Sequence, residues 1–254
     1  MGYDACYNYL KLIYGFFATI LLWIYYIFGH FFFFTPIYLG AYFFSSNREF
    51  AFQRLNHIFY KSFFFLTRLI IPGFKILVDK EVFSIRSSII VCNHLSYLDP
   101  ILFISLFKKQ KTIVKSTFFN IPIFGWYLKT SGYLPSTAQG QFSDLLIKGI
   151  EDLNLYLSLG GNLFVFPEGT RSKDGKLNSL NKGVFSIARR IGAPIKVLRI
   201  KNTHLIFRPG KFIFNTWVNL PITVELMASV DSDFVKNVSS MSQLMDHIKS
   251  IYEK

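Results

Sequence analysis

The sequence predicts an α/β fold, a mostly parallel sheet flanked by helices, with an apolar helical motif in front of it that is suited to lipid. Three observations carry this expectation. Past residue 73, short apolar runs of strand length alternate with helical stretches, the pattern of a sheet covered by helices. From Leu12 to Asn47 there is no Asp, Glu, Lys or Arg. The composition is also unusual for a soluble domain: 30 Phe, 14 Tyr and 3 Trp make 19% of the chain aromatic, while only 17% is charged, against ~25% in an ordinary soluble domain.

The uncharged run would be about 54 Å long as one helix at ~1.5 Å per residue, more than a hydrocarbon core of ~30 Å. Gly29 with His30 and Thr35 with Pro36 interrupt it, which predicts two shorter helices over 12–28 and 31–44. These would form a hairpin dipping into one leaflet, or one span and an interfacial piece, either of which satisfies the backbone in lipid. Two buried helices of a soluble core would carry some charge toward water. In the stretch 48–71, Arg54, Lys61 and Arg68 recur at intervals of seven, within ~40° of one another on a helix. With Phe52, Phe59, Phe63 and Leu66 beside this basic stripe, the segment reads either as a helix in the headgroup plane or as a core helix whose basic tips snorkel. Pro72 and Gly73 end it. Beyond them, strands are predicted over 74–78, 88–92, 112–114, 163–166, 195–200, 212–216 and 222–226, and helices over 100–107, 123–130, 141–159, 182–191 and 233–252. The chain thus divides into membrane-associated helices over 1–72 and an α/β domain over 73–254.

Lys and Arg outnumber Asp and Glu by 28 to 15, a net charge of +13, which favours anionic partners such as acidic headgroups, phosphorylated substrates or an acidic carrier protein. The basic residues are scattered between apolar runs, with no zinc-finger spacing, basic helix-turn-helix or aromatic ribonucleoprotein motif, so no nucleic-acid partner is expected. Two cysteines, Cys6 and Cys92, make no disulfide framework and lack metal-ligand neighbours, which fits a reducing compartment. The first residues have no basic n-region or small-x-small cleavage site, and Cys6 stands where a myristoylation signal wants Ser or Thr. Arg48, Arg54, Lys61 and Arg68 follow the apolar run directly, which places that side, and the α/β unit with it, at the cytoplasmic face of the membrane.

Chemistry concentrates at two strand ends. After the strand ending in Val91 and Cys92 comes Asn93-His94-Leu95-Ser96-Tyr97-Leu98-Asp99-Pro100. A separation of five puts two side chains ~140° apart on a helix, so His94 and Asp99 meet only across a turn. Ser96 and Asp99 fit a capping box, or Asp99 caps a helix that has Pro100 at its first position. If Asp99 holds one ring nitrogen, it fixes the tautomer and leaves the other to take a proton. A dyad without its own serine can activate a substrate hydroxyl to attack a thioester directly. Cys92 and Ser96 are the candidate nucleophiles for a covalent alternative, with the blander readings of core residue and cap. The second strand end is Leu163-Phe164-Val165-Phe166-Pro167-Glu168-Gly169-Thr170-Arg171-Ser172. It delivers a carboxylate, a glycine that lets backbone approach a ligand, and an arginine whose fork can grip phosphate. Both motifs sit where α/β folds bind ligands, at the carboxyl ends of strands.

Here the chain resembles the PlsC-type lysophospholipid acyltransferase family over roughly 89–200, a glycerolipid acyltransferase-like fold. Asn93-His94 to Asp99 is similar to its first motif, in which the histidine is the base and the aspartate its orienter. Phe166 to Ser172 is similar to its third motif, which binds the acceptor's glycerol phosphate through Glu168, Gly169, Thr170 and Arg171. Lys115 with the segment from Ile121 to Trp126 resembles the region between them, and Lys182, Gly183 and Ala188 the helix that follows. The resemblance implies a lysolipid acceptor, a donor that is acyl-CoA or acyl-carrier protein, an apolar acyl tunnel, no metal or further cofactor, and helices seated in the membrane. It also implies substrate contacts for Asn93 and Lys115. Two departures concern the acceptor. Where the family has an arginine after Gly132, this chain reads Tyr133-Leu134-Pro135-Ser136-Thr137-Ala138, so phosphate falls to Lys115, Arg171 and Lys129, or the acceptor carries another headgroup such as an aminolipid. The family's proline near residue 198 is a leucine. The alternatives left by the residues are a hydrolase or transacylase using Cys92 or Ser96, and a catalytically silent lipid-binding homologue.

Overall fold

A computed structural model of the chain describes residues 2–172 and 175–253, without the side chains of residues 2–6 and 141; the side chain of Cys6 therefore lies outside what is described. The N-terminal run is one continuous helical rod rather than the expected pair: α1 (Gly2–Ile24), a π-helical stretch (Tyr25–Phe34) and α2 (Thr35–Phe44). The wider π turn absorbs Gly29 and His30, and Pro36 falls in the first turn of α2, where its missing N–H costs little. One helix long and apolar enough to cross a membrane results, Tyr7–Phe44.

The rod turns at Asn47, whose side chain accepts from Phe50 N and caps α3 (Arg48–Ile70). Phe52, Phe59 and Phe63 of α3 are buried against the rod and the α/β unit, not laid beside the basic stripe as expected. The apolar companions of exposed Arg54, Lys61 and Arg68 are instead Ile58, Phe65 and Leu69.

The α/β unit then runs β1 (Ile76–Val78), β2 (Ile89–Cys92), α4 (Leu98–Leu106), β3 (Gln110–Val114), α5 (Phe124–Thr130), β4 (Leu134–Pro135), α6 (Ser143–Ser158), β5 (Asn162–Val165), α7 (Lys182–Ile191), β6 (Ile195–Lys201), α8 (Thr203–Ile206), β7 (Ile222–Val230), α9 (Ser232–Asn237) and α10 (Met241–Tyr252). The strands form one sheet in the order β1-β7-β6-β2-β5-β3-β4, parallel except for β6 against β7. Alternate residues feed two cores. Ile90, Cys92, Phe164, Leu198 and Ile200 pack under α3, α4 and the rod, while Ile89, Val91, Leu163, Val165 and Val197 pack under α6, α7, α9 and α10. A central strand buried on both faces must be apolar throughout, which is why β2 reads Ile-Ile-Val-Cys.

Two expectations fail locally, and one strand was not expected. Residues 212–216 belong to no strand, with a bend at 212–213: Phe214 and Thr216 are buried, and the N–H of Phe214 goes to Thr19 Oγ1 of α1. The period-two pattern is real, yet its partner is a helix. The predicted helix over 233–252 breaks at Val238, because Ser240 caps a new start by accepting from Gln243 N. The short strand β4 has no counterpart among the predicted elements; two residues carry no periodicity.

Candidate active site

The sheet register assembles the site. Val91 of β2 pairs with Val165 of β5, so His94 and Glu168, three residues past each, emerge side by side. The backbone N–H of His94 donates to Glu168 Oε1 at 2.8 Å, and Asn178 N donates to Oε2 at 2.8 Å. Ser172 N returns to His94 O at 2.7 Å. The two motifs are therefore stitched together by backbone hydrogen bonds, with the Glu168 carboxylate as the rivet. Burial pushes the Glu168 carboxyl above its ordinary range, and the hydrogen bonds from Asn178 and His94 oppose the shift.

Asp99 meets His94 across the turn, Nδ1 to Oδ2 at 2.8 Å. The same Oδ2 accepts from Leu95 N at 2.6 Å and Ser96 N at 2.7 Å. Asp99 is fully buried. Its carboxylate points back to Ser96 N while Ser96 Oγ accepts from Leu98 N at 3.2 Å, so of the two expected caps the Ser96–Asp99 capping box is the one formed, and Asp99 does not itself cap a helix starting at Pro100. With Nδ1 committed, Nε2 is the ring nitrogen left for chemistry. Phe166 stacks on the imidazole with centroids 4.3 Å apart and fixes its plane.

The other expected site residues fall into two groups. Gly169 at φ +65 and Thr170 are exposed on the turn after β5, and Gly169 sits in left-handed backbone that L side chains rarely adopt. Arg171 lies with its guanidinium 3.6 Å above the Tyr97 ring, and its Nη1 is buried with no hydrogen-bond partner. Lys115 stands exposed just past β3, one strand beyond β5 on the same sheet edge. Asn93 accepts from Ile200 N at 2.8 Å and donates to Ile200 O at 2.9 Å, and the two Glu168 oxygens take the His94 and Asn178 N–H groups. These bonds hold the turn in place. The roles of Tyr97 and Phe166 emerge only from the structure; an aromatic beside a motif looks like any core residue until its ring partner is known.

The two candidate nucleophiles are occupied. Burial drives the Cys92 thiol well above its ordinary pKa, so it is a poor thiolate. Ser96 Oγ donates to Phe207 O at 2.7 Å and accepts from Leu98 N at 3.2 Å.

Beside the dyad opens a cavity of about 730 Å³. Tyr97, Leu98 and Ile101 line it from the start of α4, and Leu22, Trp23 and Tyr26 of the rod close it from above. Its walls are overwhelmingly apolar. Among the described residues no group of three or more His, Cys, Asp or Glu could hold a metal ion.

Residues 76–201 match the sequence model of the family described as Acyltransferase. A chloroplastic 1-acyl-sn-glycerol-3-phosphate acyltransferase of Arabidopsis thaliana is 37% identical over 124 residues, which is 48% of this chain and 34% of that protein. A 1-acyl-sn-glycerol-3-phosphate acyltransferase of Saccharomyces cerevisiae is 29% identical over 185 residues, 68% of this chain and 59% of that one. The chain thus spans only about a third of the plant relative's length. The crystal structure of the 1-acyl-sn-glycerophosphate acyltransferase PlsC from Thermotoga maritima superposes with a TM-score of 0.68 at 22% identity, covering 96% of this chain and 94% of that one. At that identity the likeness speaks for the fold.

Proposed function

We propose that this chain, a member of the acyltransferase family through residues 76–201, moves a fatty acyl group from a thioester to the hydroxyl of a lysolipid, with 1-acylglycerol-3-phosphate as acceptor and phosphatidic acid as product. The observation that carries the reading is an imidazole pinned by a buried carboxylate, stitched to the Glu168–Arg171 turn and opening beside an apolar cavity. Nε2 of His94 takes the proton of the acceptor hydroxyl as its oxygen attacks the thioester carbonyl. The tetrahedral intermediate expels the thiolate, which recovers the proton from the imidazolium. General-base catalysis of this kind contributes ~10²- to 10⁴-fold. No enzyme nucleophile is used, in keeping with the engaged Cys92 and Ser96.

Arg171, with a buried nitrogen lacking a partner, and exposed Lys115 supply the cationic grip for the acceptor phosphate. The apolar cavity takes the acyl chain. The donor is acyl-CoA or an acylated carrier protein, with no further cofactor, and the chain works at the cytoplasmic face of a membrane in which the exposed apolar side of the rod is seated. The test is an assay with labelled acyl donor and a panel of phosphate and aminolipid lysolipids. Folded His94→Ala protein should lose turnover, and normal product formation by it would contradict the mechanism. Tight lysolipid binding with no product from any donor would favour a silent binding protein.

A further inference from the structure

On the outer face of α3, at the far end of α4 from the dyad, lies a depression of about 460 Å³ lined by Arg54, His57, Ile58, Lys61, Ser62, Phe65 and Lys108. Positive charge converges there. Arg54, His57 and Lys61 fall on successive turns of α3, and Lys108, just past α4, closes the other side. His57 is fixed by its Nδ1 against Ile104 O at 3.2 Å, and after burial the charges of Lys61 and Lys108 also hold its pKa down. No carboxylate lines the depression, and among the described residues Arg54, Lys61 and Lys108 make no ion pair. Uncompensated cations this close repel one another, and a bound anion relieves that cost.

Two further features say which anion. Ile58 and Phe65 on its rim are 44% and 63% exposed, so the cations sit in a greasy surround. Ser62 in its wall bonds the Tyr25 hydroxyl of the rod, and one turn either side of Tyr25 the rod exposes Leu21 and Phe28. A free phosphate would use the cations and leave the apolar rim in water. A lipid uses both. We infer that this depression is a binding site for the phosphate headgroup of an anionic phospholipid, separate from the substrates and serving to dock α3 on the membrane. The nine residues of α4 put it roughly 13 Å or more from the dyad at ~1.5 Å per residue. The inference rests on the membrane seating proposed above and not on the acyl-transfer chemistry.

The full chain is sedimented with phosphatidylcholine vesicles, with and without phosphatidylglycerol. Phosphatidylglycerol is chosen because it is neither the proposed acceptor nor the product. The triple variant Arg54→Gln, Lys61→Gln, Lys108→Gln should bind the anionic vesicles roughly a hundredfold less well, about fivefold for each charge. A control with the same loss of net charge on the opposite face, Lys148→Gln, Arg190→Gln, Lys249→Gln, should stay within about threefold of the parent, since those charges lie beyond a Debye length from the surface. Binding to pure phosphatidylcholine should be equal for all three. Inorganic phosphate at matched ionic strength should not release the parent. His94→Ala, whatever its turnover, should bind as the parent does. In detergent micelles the α3 variant should keep kcat and the donor KM. Equal losses in both triples, release by inorganic phosphate, or a raised donor KM in micelles would each overturn the assignment, the last by giving the depression to the donor's phosphates.

Discussion

Replacing Asp99 by Asn tests how the base is held. In a triad whose carboxamide turns its nitrogen toward the imidazole, the wrong tautomer costs about 10⁴-fold. This site differs, because Oδ2 of Asp99 also accepts from Leu95 N and Ser96 N. Those two donors demand an oxygen at that position, so the oxygen of the introduced carboxamide should take it and Nδ1 of His94 should keep its proton. The amide nitrogen then lies where Oδ1 now has no partner. What remains lost is the charge that steadies the imidazolium, ~4 kcal/mol for unit charges about 4 Å apart at an effective dielectric near 20. The expected fall in kcat is therefore about a thousandfold, with KM for both substrates little changed. Asp99→Ala should be worse, because it removes the orienter and strands two buried N–H groups at about 1–3 kcal/mol each. The assay follows thiol release from acyl-CoA in detergent, with circular dichroism to check the fold. An Asn variant as inactive as the Ala variant, while equally folded, would refute the argument that backbone donors set the tautomer.

Glu168→Gln should loosen the join between the two motifs, since an amide can accept at only one of the two oxygens that now take His94 N and Asn178 N; the activity loss should exceed tenfold at unchanged secondary structure. Because burial raises the Glu168 carboxyl, the folded chain holds more proton than the unfolded one between the ordinary and the raised value, so stability from this group is complete below the ordinary carboxylate pKa and is lost as pH rises through the folded one. The stability advantage of the parent over Glu168→Gln, measured by urea unfolding, should shrink across that window. Tyr97→Leu removes the ring under Arg171 and should raise the acceptor KM severalfold with little change in the donor KM, the cation–π contact being worth ~0.5–2 kcal/mol; Arg171→Lys should behave alike. Cys92→Ala should retain activity within a few fold, and thiol reagents should leave the native chain active, as expected of a buried thiol with a raised pKa.

The parts of the fold legible in the sequence are those where one physical requirement dominates. A strand buried on both faces has to be apolar, so β2 and the apolar run of β5 announce themselves, and the parallel register of the two, Val91 against Val165, delivers His94 beside Glu168. The dyad is legible only as a condition, that a turn must close the five-residue gap. The rod is not, because Gly29 and Pro36 are breakers in an isolated helix, whereas a π turn and a first-turn proline accommodate both when the rod is held along its length. The bond from Ile200 N to Asn93 Oδ1 could not be read from the sequence either, because the two residues lie 107 positions apart. From 213 to 218 burial alternates as in a strand, and nothing local tells such a segment whether a strand or a helix will cover it. The basic depression needs Lys108 to join a stripe on another helix, which no spacing rule could supply.

On the membrane reading, the contacts of the rod also decide its posture. It touches the rest of the chain from Tyr14, which bonds Ile70 O, through Trp23 on Phe212 and Thr35 on Tyr127, to Tyr42 on Trp126. The α-helical residues of that stretch, 14–24 and 35–42, alone supply about 28 Å at ~1.5 Å per residue, and the π-helical residues 25–34 between them carry it past a hydrocarbon core of ~30 Å. A rod standing across the bilayer would therefore carry the α/β unit, with Lys129 and Lys211, into hydrocarbon alongside it, at a cost of several kcal/mol for each unpaired charge. Lying along the surface costs nothing of the kind: exposed Phe16, Phe28, Phe32 and Phe43 enter the acyl region while the charged unit stays in water. Leu22, Trp23 and Tyr26 of the same rod roof the cavity beside His94. In that posture the wall between the bilayer and the cavity is a single helix thick, and the proposed acyl chain and lysolipid would reach the imidazole from the leaflet itself, without crossing water.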